Sequence, residues 1–296
     1  MTNPDNSIRG KVASLHVKLQ SLKASIDLSG RGATLSARIL QEQLTQSLLA
    51  DSRYASPQCL ARSRFQVFSQ FGQDGMIAEI FRRIGIRDRR FIEIGVAPLE
   101  SNTTFLLFQG WTGLWVDPFL CSDDELPAGI RNAMDRKQLS VSRAFVGRDD
   151  VLKLLKDRAF DSELDFVSID IDYNTYHVWR EIARLRPRVI CVEYNSHIPP
   201  NVEWIAPYLP DGTWDYTIVY GASLKSFEME AGRLGYCLVG CELGGTDAFF
   251  VREDLVADKF MSPFTAQQHF EPPRFFLATP PGHTKGFPAM DQAGAR

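Results

Sequence analysis

An α/β fold with a mostly parallel sheet, covered by helices on both faces, is what this sequence predicts, and three observations carry it. From Phe65 onward, helical and strand-like patterns alternate along the chain. The strand-like runs are nearly continuous in apolar residues, as expected of strands buried on both faces. The chain has 296 residues, 44% of them hydrophobic and 23% charged, which suffices for one large domain of this kind.

The first 62 residues read differently from the rest. "IRGKVASLHVKLQSLKASIDL" and "ATLSARILQEQLTQSLLA" carry apolar residues at helical spacing, such as Leu35, Ile39, Leu44 and Leu48, and Gly30-Arg31-Gly32 separates them. Residues 1–62 are therefore expected to form a helical appendage without strands. Its apolar stripes need a partner surface, either the main domain or a second copy of the chain, and a homo-oligomer assembled through these helices is the expectation. A lid over the active site is the other use for them.

Residues 63–258 are the expected sheet domain. In "GQDGMIAEIFRRIG", Met76, Ile77, Ile80, Phe81 and Ile84 share one face of a helix. "RFIEIGV" is the first strand and breaks at Gly95. A polar stretch and a helix lead to the second strand, "TGLWVDP", which ends on Asp117. "LSVSRAFV" (139–146) reads as a third strand, followed by the helix "RDDVLKLLKDRAF" with Asp149 or Asp150 near its start. "LDFVSIDID" (164–172) is the fourth, "YHVWREIARL" a helix, and "RPRVICVEYN" (186–195) the fifth. A polar, Pro-rich connection covers 196–217. The helix "SLKSFEMEAGRLG" and a late pair, "YCLVGCE" and "DAFFVRED", bring in an antiparallel strand. Residues 259–296, with "EPPRFF" and "TPPGHTKGFP", are expected to be an irregular tail.

Bulk properties narrow the partners. A net charge of −3 leaves no electrostatic footprint for nucleic acid or an anionic membrane. No apolar run approaches the ~18 residues of a membrane span. The N-terminus lacks the apolar core of a secretory signal. The five cysteines contain no CxxC, and Cys191 and Cys237 sit inside apolar runs like buried small hydrophobes. A reduced cytoplasm and a small-molecule substrate are the expected setting.

In an open parallel sheet, ligands bind beyond the C-terminal strand ends, near the point where strand order reverses. Gly95 sits at such an end. Asp117 closes the next strand 22 residues later, the approximate place of an acid that holds ribose hydroxyls. The loop "GVAPLESN" has a single glycine and also carries Glu100, a poor neighbour for a diphosphate. A nucleoside cofactor without phosphate, such as S-adenosylmethionine, removes the need for further glycines.

The blocks "FSQFGQDGMIAEIF", "FIEIGV…SNTTFLLFQGWTGLWVDP", "LDFVSIDIDYNTYHVWREI…RPRVICVEYN" and "YGASLKSFEMEAGRLGYCLVGCE…DAFFVRED" resemble, in order, those of FkbM-like S-adenosylmethionine-dependent methyltransferases, and more distantly macrocin-type O-methyltransferases. The resemblance covers roughly residues 65–255 and implies a Rossmann-like class I methyltransferase sheet. Carried over, Glu93 and Gly95 form the loop on the cofactor's methionine side and Asp117 holds its ribose. Asn102 and Thr103 suit cofactor binding or helix capping equally well. Ala97-Pro98-Leu99 and Tyr173 depart from the smaller residues usual in the family.

The fourth and fifth strands are neighbours in such sheets, so their ends gather Asp170, Asp172, Glu193, Asn195, His177 and His197. Strand alternation puts Asp170 and Asp172 on one face. With Glu193 beside them, these acids are costly unless something neutralises them, and an all-oxygen set suits Mg²⁺ or Mn²⁺. Macrocin-type relatives use a metal at a comparable place. Without a metal, Asp170 would hold the cofactor's amino group and Asp172 would cap the following helix. Methyl transfer to a hydroxyl also needs a proton acceptor, for which His177 and His197 are candidates beside Asp170. Trp179, Trp204, Tyr194 and Tyr208 are either an acceptor wall or core. The leading expectation is O-methylation of a sugar or secondary metabolite. The alternatives are a non-catalytic scaffold protein of the same fold and an NAD-type oxidoreductase.

Overall fold

The computed structural model describes residues 34–278 apart from Leu99, Glu163 and Asp211. The first expected N-terminal helix and residues 279–296 of the expected tail lie outside these. Two compact units divide the chain, Met1–Ala50 and Asp51–Arg296. In the first, residues 34–49 form one helix, α1.

The second unit is built on a seven-stranded sheet. Its strands are β1 (Arg90–Ile94), β2 (Thr112–Val116), β3 (Leu139–Ser142), β4 (Phe166–Ile169), β5 (Val189–Glu193), β6 (Tyr236–Cys241) and β7 (Asp247–Arg252). They lie in the order β3-β2-β1-β4-β5-β7-β6. The first five pair in parallel, and β7 runs antiparallel to both β5 and β6. The expected α/β class with a late antiparallel strand is thus present.

Both faces of the sheet are buried, which explains its unbroken apolar strands. Ile92, Ile94, Leu114, Val116, Val167, Ile169, Ile190 and Val192 point to one core. On that side pack α5 (Val151–Asp157), α6 (Thr175–Ala183) and α7 (Leu224–Leu234). Phe91, Trp115, Phe166, Val189 and Cys191 point to the other core, with α2 (Gln73–Ile84) and α4 (Ala128–Asp135). The α2 stripe read from the sequence, Met76, Ile77, Ile80, Phe81 and Ile84, is buried there. The helix α4 had no counterpart in the sequence reading.

Two boundaries differ from expectation. Residues 51–62, assigned to the helical appendage, belong to the sheet unit: Leu60 is buried in the α2-side core, and Tyr54 Oη donates to both Glu271 carboxylate oxygens at 2.9 Å. The start of the expected tail is packed as well, with Phe260, Ala266, His269, Glu271 and Leu277 buried. The fourth strand stops earlier than 172. Asp170 N still donates to Ile94 O at 2.8 Å, but Ile171 N turns away to Thr175 Oγ1 at 3.1 Å, and Asp172 adopts φ +53°.

Candidate functional site

Strand order reverses between β1 and β4, the neighbours whose connections leave in opposite directions, and a cleft opens at their C-terminal ends. Its cavity volume is about 130 Å³, and the space out to its open solvent mouth about 620 Å³. Gly95, Asp117, Phe119, Phe145, Asp170 and Asp172 contribute to its wall, with Pro210, Gly212 and Thr213 opposite.

Gly95 has φ +82°, and a Cβ there would lie 1.5 Å from the Asp170 carbonyl oxygen. The glycine is required by this close approach of the neighbouring strand's backbone as well as by its left-handed turn. Asp117 ties the two strand ends together. Its Oδ2 accepts from Val96 N at 2.9 Å and its Oδ1 from Phe119 N at 2.7 Å. Beside it, the rings of Phe119 and Phe145 meet edge to face at 5.4 Å. Phe119 is 74% exposed at the cleft.

Glu93 and Asn102, expected at the cofactor, do not line this cleft and are buried. Glu93 faces the α2 side of the sheet, as Phe91 does. It accepts from Ser101 Oγ at 2.5 Å, Asn102 N at 2.9 Å and Thr103 Oγ1. Burial pushes its pKa up to about 7 against these hydrogen bonds. Asn102 does not cap the following helix, α3 (Thr104–Phe108); its Nδ2 reaches Ser168 Oγ at 3.1 Å and Asp247 Oδ2 at 3.4 Å. The pair fixes the loop after β1 from behind.

Asp170, Asp172 and Glu193 converge, with one carboxylate oxygen from each lying within 4.8 Å of the others. Asp170 opens to solvent through the cleft, yet protein encloses the rest of its carboxyl. That burial, with the charges of Asp247 and Asp172, raises its pKa. Burial likewise raises Asp172, and it raises Glu193 further with help from the charges of Asp170 and Asp172. Glu193 Oε2 is shut from solvent and has no hydrogen-bond partner. Asp172 does not cap α6, whose N-terminus is Asn174. The shared-face argument for Asp170 and Asp172 fails, since β4 ends before both; the turn at Ile171 brings them together instead.

The histidines lie elsewhere. His177 Nε2 bonds the Ala206 carbonyl oxygen at 2.8 Å, and burial lowers its pKa. Its ring contacts Tyr208, over which Arg148 lies at 4.0 Å. With Asn174, which exchanges two hydrogen bonds with the Leu209 backbone, it anchors the segment that supplies Pro210, Gly212 and Thr213. His197 is exposed against Phe275. Trp179 and Tyr194 are core, and neither Trp204 nor Tyr208 lines the cleft. Sequence reasoning missed Asp247 and Tyr220. Asp247 lies opposite Glu193 across the β5–β7 pair, and Tyr220 is a buried phenol whose pKa is raised by burial and by Glu193, Asp170 and Asp172. No local pattern in either stretch marks them.

No protein-family model matches the chain, and no curated protein is significantly similar to it.

Proposed function

We propose that the chain is an S-adenosylmethionine-dependent methyltransferase directed at a hydroxyl of a small polar acceptor. The observation that carries this reading is the charge of the cleft: its lining includes Asp117, Asp170 and Asp172 and has no Lys, Arg or His among the described residues. A diphosphate there would meet carboxylates without a counter-charge, which argues against an NAD-type cofactor. A cofactor bearing a sulfonium and an ammonium suits it. Asp117 spends one acceptor position per oxygen on backbone amides and keeps others for ribose hydroxyls. Phe119 and Phe145 offer apolar ring surface suited to a purine. The parallel sheet with its late antiparallel strand agrees with what the FkbM-like resemblance implies.

S-Adenosylmethionine, when bound, supplies a methyl group already activated for transfer, so the protein's share is alignment and removal of the acceptor's proton. Asp170, Asp172 and Glu193 would hold Mg²⁺ or Mn²⁺, and the orphaned Glu193 Oε2 fits that role. Such a cation would supply Lewis-acid stabilisation of the acceptor's oxygen. A second reading, with Asp170 on the cleft wall as an unaided base, is favoured by its raised pKa, which makes it a better proton acceptor than an ordinary carboxylate. In both readings the carboxylates replace the histidines as the groups in reach.

Calorimetry with S-adenosylmethionine and S-adenosylhomocysteine tests the cofactor: absence of binding at millimolar ligand overturns the proposal. Turnover with and without chelator separates the two roles of the acids. Loss that Mg²⁺ or Mn²⁺ restores supports the cation, and full activity in chelator leaves the base.

A further inference from the structure

The block "FSQFGQDGMIAEIF" has no role in the cleft, yet its hydrogen bonds lead to the acids there. Asp74 Oδ2 accepts from the backbone amides of Val67, Phe68 and Ser69 at 2.7, 2.8 and 3.0 Å, folding this loop back on the start of α2. Gln73 is fixed as a consequence. Its Oε1 accepts from Phe71 N at 2.9 Å, so its Nε2 must face the other way, and there it donates to Asp247 Oδ2 at 2.6 Å. Asn102 Nδ2 approaches the same oxygen at 3.4 Å.

Asp247 is buried and directly opposite Glu193 in the antiparallel β5–β7 register. Opposed residues project from the same face, with Cβ atoms roughly 5 Å apart. Both of its side-chain amide partners can only donate, which favours the ionised carboxylate, although burial outweighs them and raises its pKa. None of the ion pairs among the described residues reaches this group of four acids.

We infer that Asp247, held by Gln73 and Asn102, is an outer carboxylate of the Asp170–Asp172–Glu193 cation site, strengthening binding through its charge without ligating. This rests on the cation reading above. Gln73 is then a positioning residue, and the loop after α1 reaches the site through it. Groups placed behind metal ligands in this way typically change affinity by roughly 10- to 100-fold.

The test is a titration of the full chain with Mn²⁺ alone, following free Mn²⁺ by electron paramagnetic resonance. Asp247→Asn keeps the size and still offers a carbonyl oxygen to Gln73 and Asn102, so it removes charge and little else. It should weaken Mn²⁺ binding about 10-fold with no loss in melting temperature. Asp247→Glu retains the charge and should bind more tightly than Asp247→Asn. A purely structural role reverses that ranking, because Asn fits the site and Glu does not. Should Asp247→Asn fail to fold, Asp247→Ser carries the same comparison. Wild-type affinity in a folded neutral variant overturns the inference. Absence of Mn²⁺ binding by the wild-type chain overturns the cation reading itself, and the two failures are told apart by that first titration.

Discussion

Strand β4 is flanked by two aspartates with opposite fates. Asp165, just before it, is fully buried and accepts from the backbone amides of Arg87, Asp88 and Arg89, at 3.1, 2.7 and 2.7 Å to its Oδ2. Arg188 Nη1 completes the arrangement at 2.6 Å. Asp170, just after it, has acids for neighbours and faces an open cleft. The same side chain, five residues apart in sequence, is satisfied by its own chain at one end of the sheet and left among like charges at the other. A buried acid that is already paired holds structure, and one surrounded by like charges marks a site.

Substitutions sharpen that contrast, beginning with the largest effect. Asp165→Ala leaves the buried Arg188 guanidinium and three amides without their acceptor. It should cost about 3–5 kcal/mol, the range for breaking a buried pair, read by urea denaturation. A loss below 1 kcal/mol would erase the distinction between the two ends. Asp117→Ala comes next. It should weaken S-adenosylmethionine binding by about 1.5–3 kcal/mol while the chain still folds, and unchanged affinity in calorimetry would remove Asp117 from the cofactor. His177→Ala frees one anchor of the 206–213 segment. The expected cost is about 1 kcal/mol, the net worth of an ordinary hydrogen bond, with the pH dependence of turnover unchanged; a lost acid limb would return the base role to His177.

Asp170→Asn is the counterpart of the first variant and should have the smallest effect on stability. Removing a charge from a group of like charges leaves folding unaffected or improves it, while cofactor or cation binding falls. Clear destabilisation would mean that this end is structural too. Glu93 supplies a pH test behind the same site. Its folded pKa of about 7 lies above the ordinary glutamate value, so the folded state binds the extra proton. Its contribution is fully present below about pH 4.5, declines as pH rises, and is gone above its folded pKa. Thermal melts of Glu93→Gln should lose that decline between roughly pH 4.5 and 7, and an identical profile would show that Glu93 titrates normally.

The comparison of β4's ends also shows how far sequence reasoning reaches. Parallel strands buried on both faces leave long apolar runs, so the strands and the α2 stripe were legible. Gly95, Asp117 and Asp170 were legible as well, because strand ends are read from where such runs stop, and ligand sites lie just beyond. Glu93, Asn102, His177 and His197 resembled site residues for the same reason. Proximity along the chain does not say which way a side chain points at a turn. Glu93 turned inward to its own loop, Asn102 to Ser168 and Asp247 on other strands, and His177 to the Ala206 carbonyl.

By itself, the sequence determined the α/β class, the late antiparallel strand and the strand ends where acids gather, since these follow from local periodicity and from where it breaks. Only the tertiary structure decided which acids are already paired and which remain open. That depends on contacts between residues far apart in the chain: Arg188 closing on Asp165 across two strands, Gln73 crossing from α2 to Asp247 on the last strand, and the turn at Ile171 bringing Asp172 beside Asp170. Hydrogen bonds and charges act through space over a few ångströms, and the fold alone sets those distances.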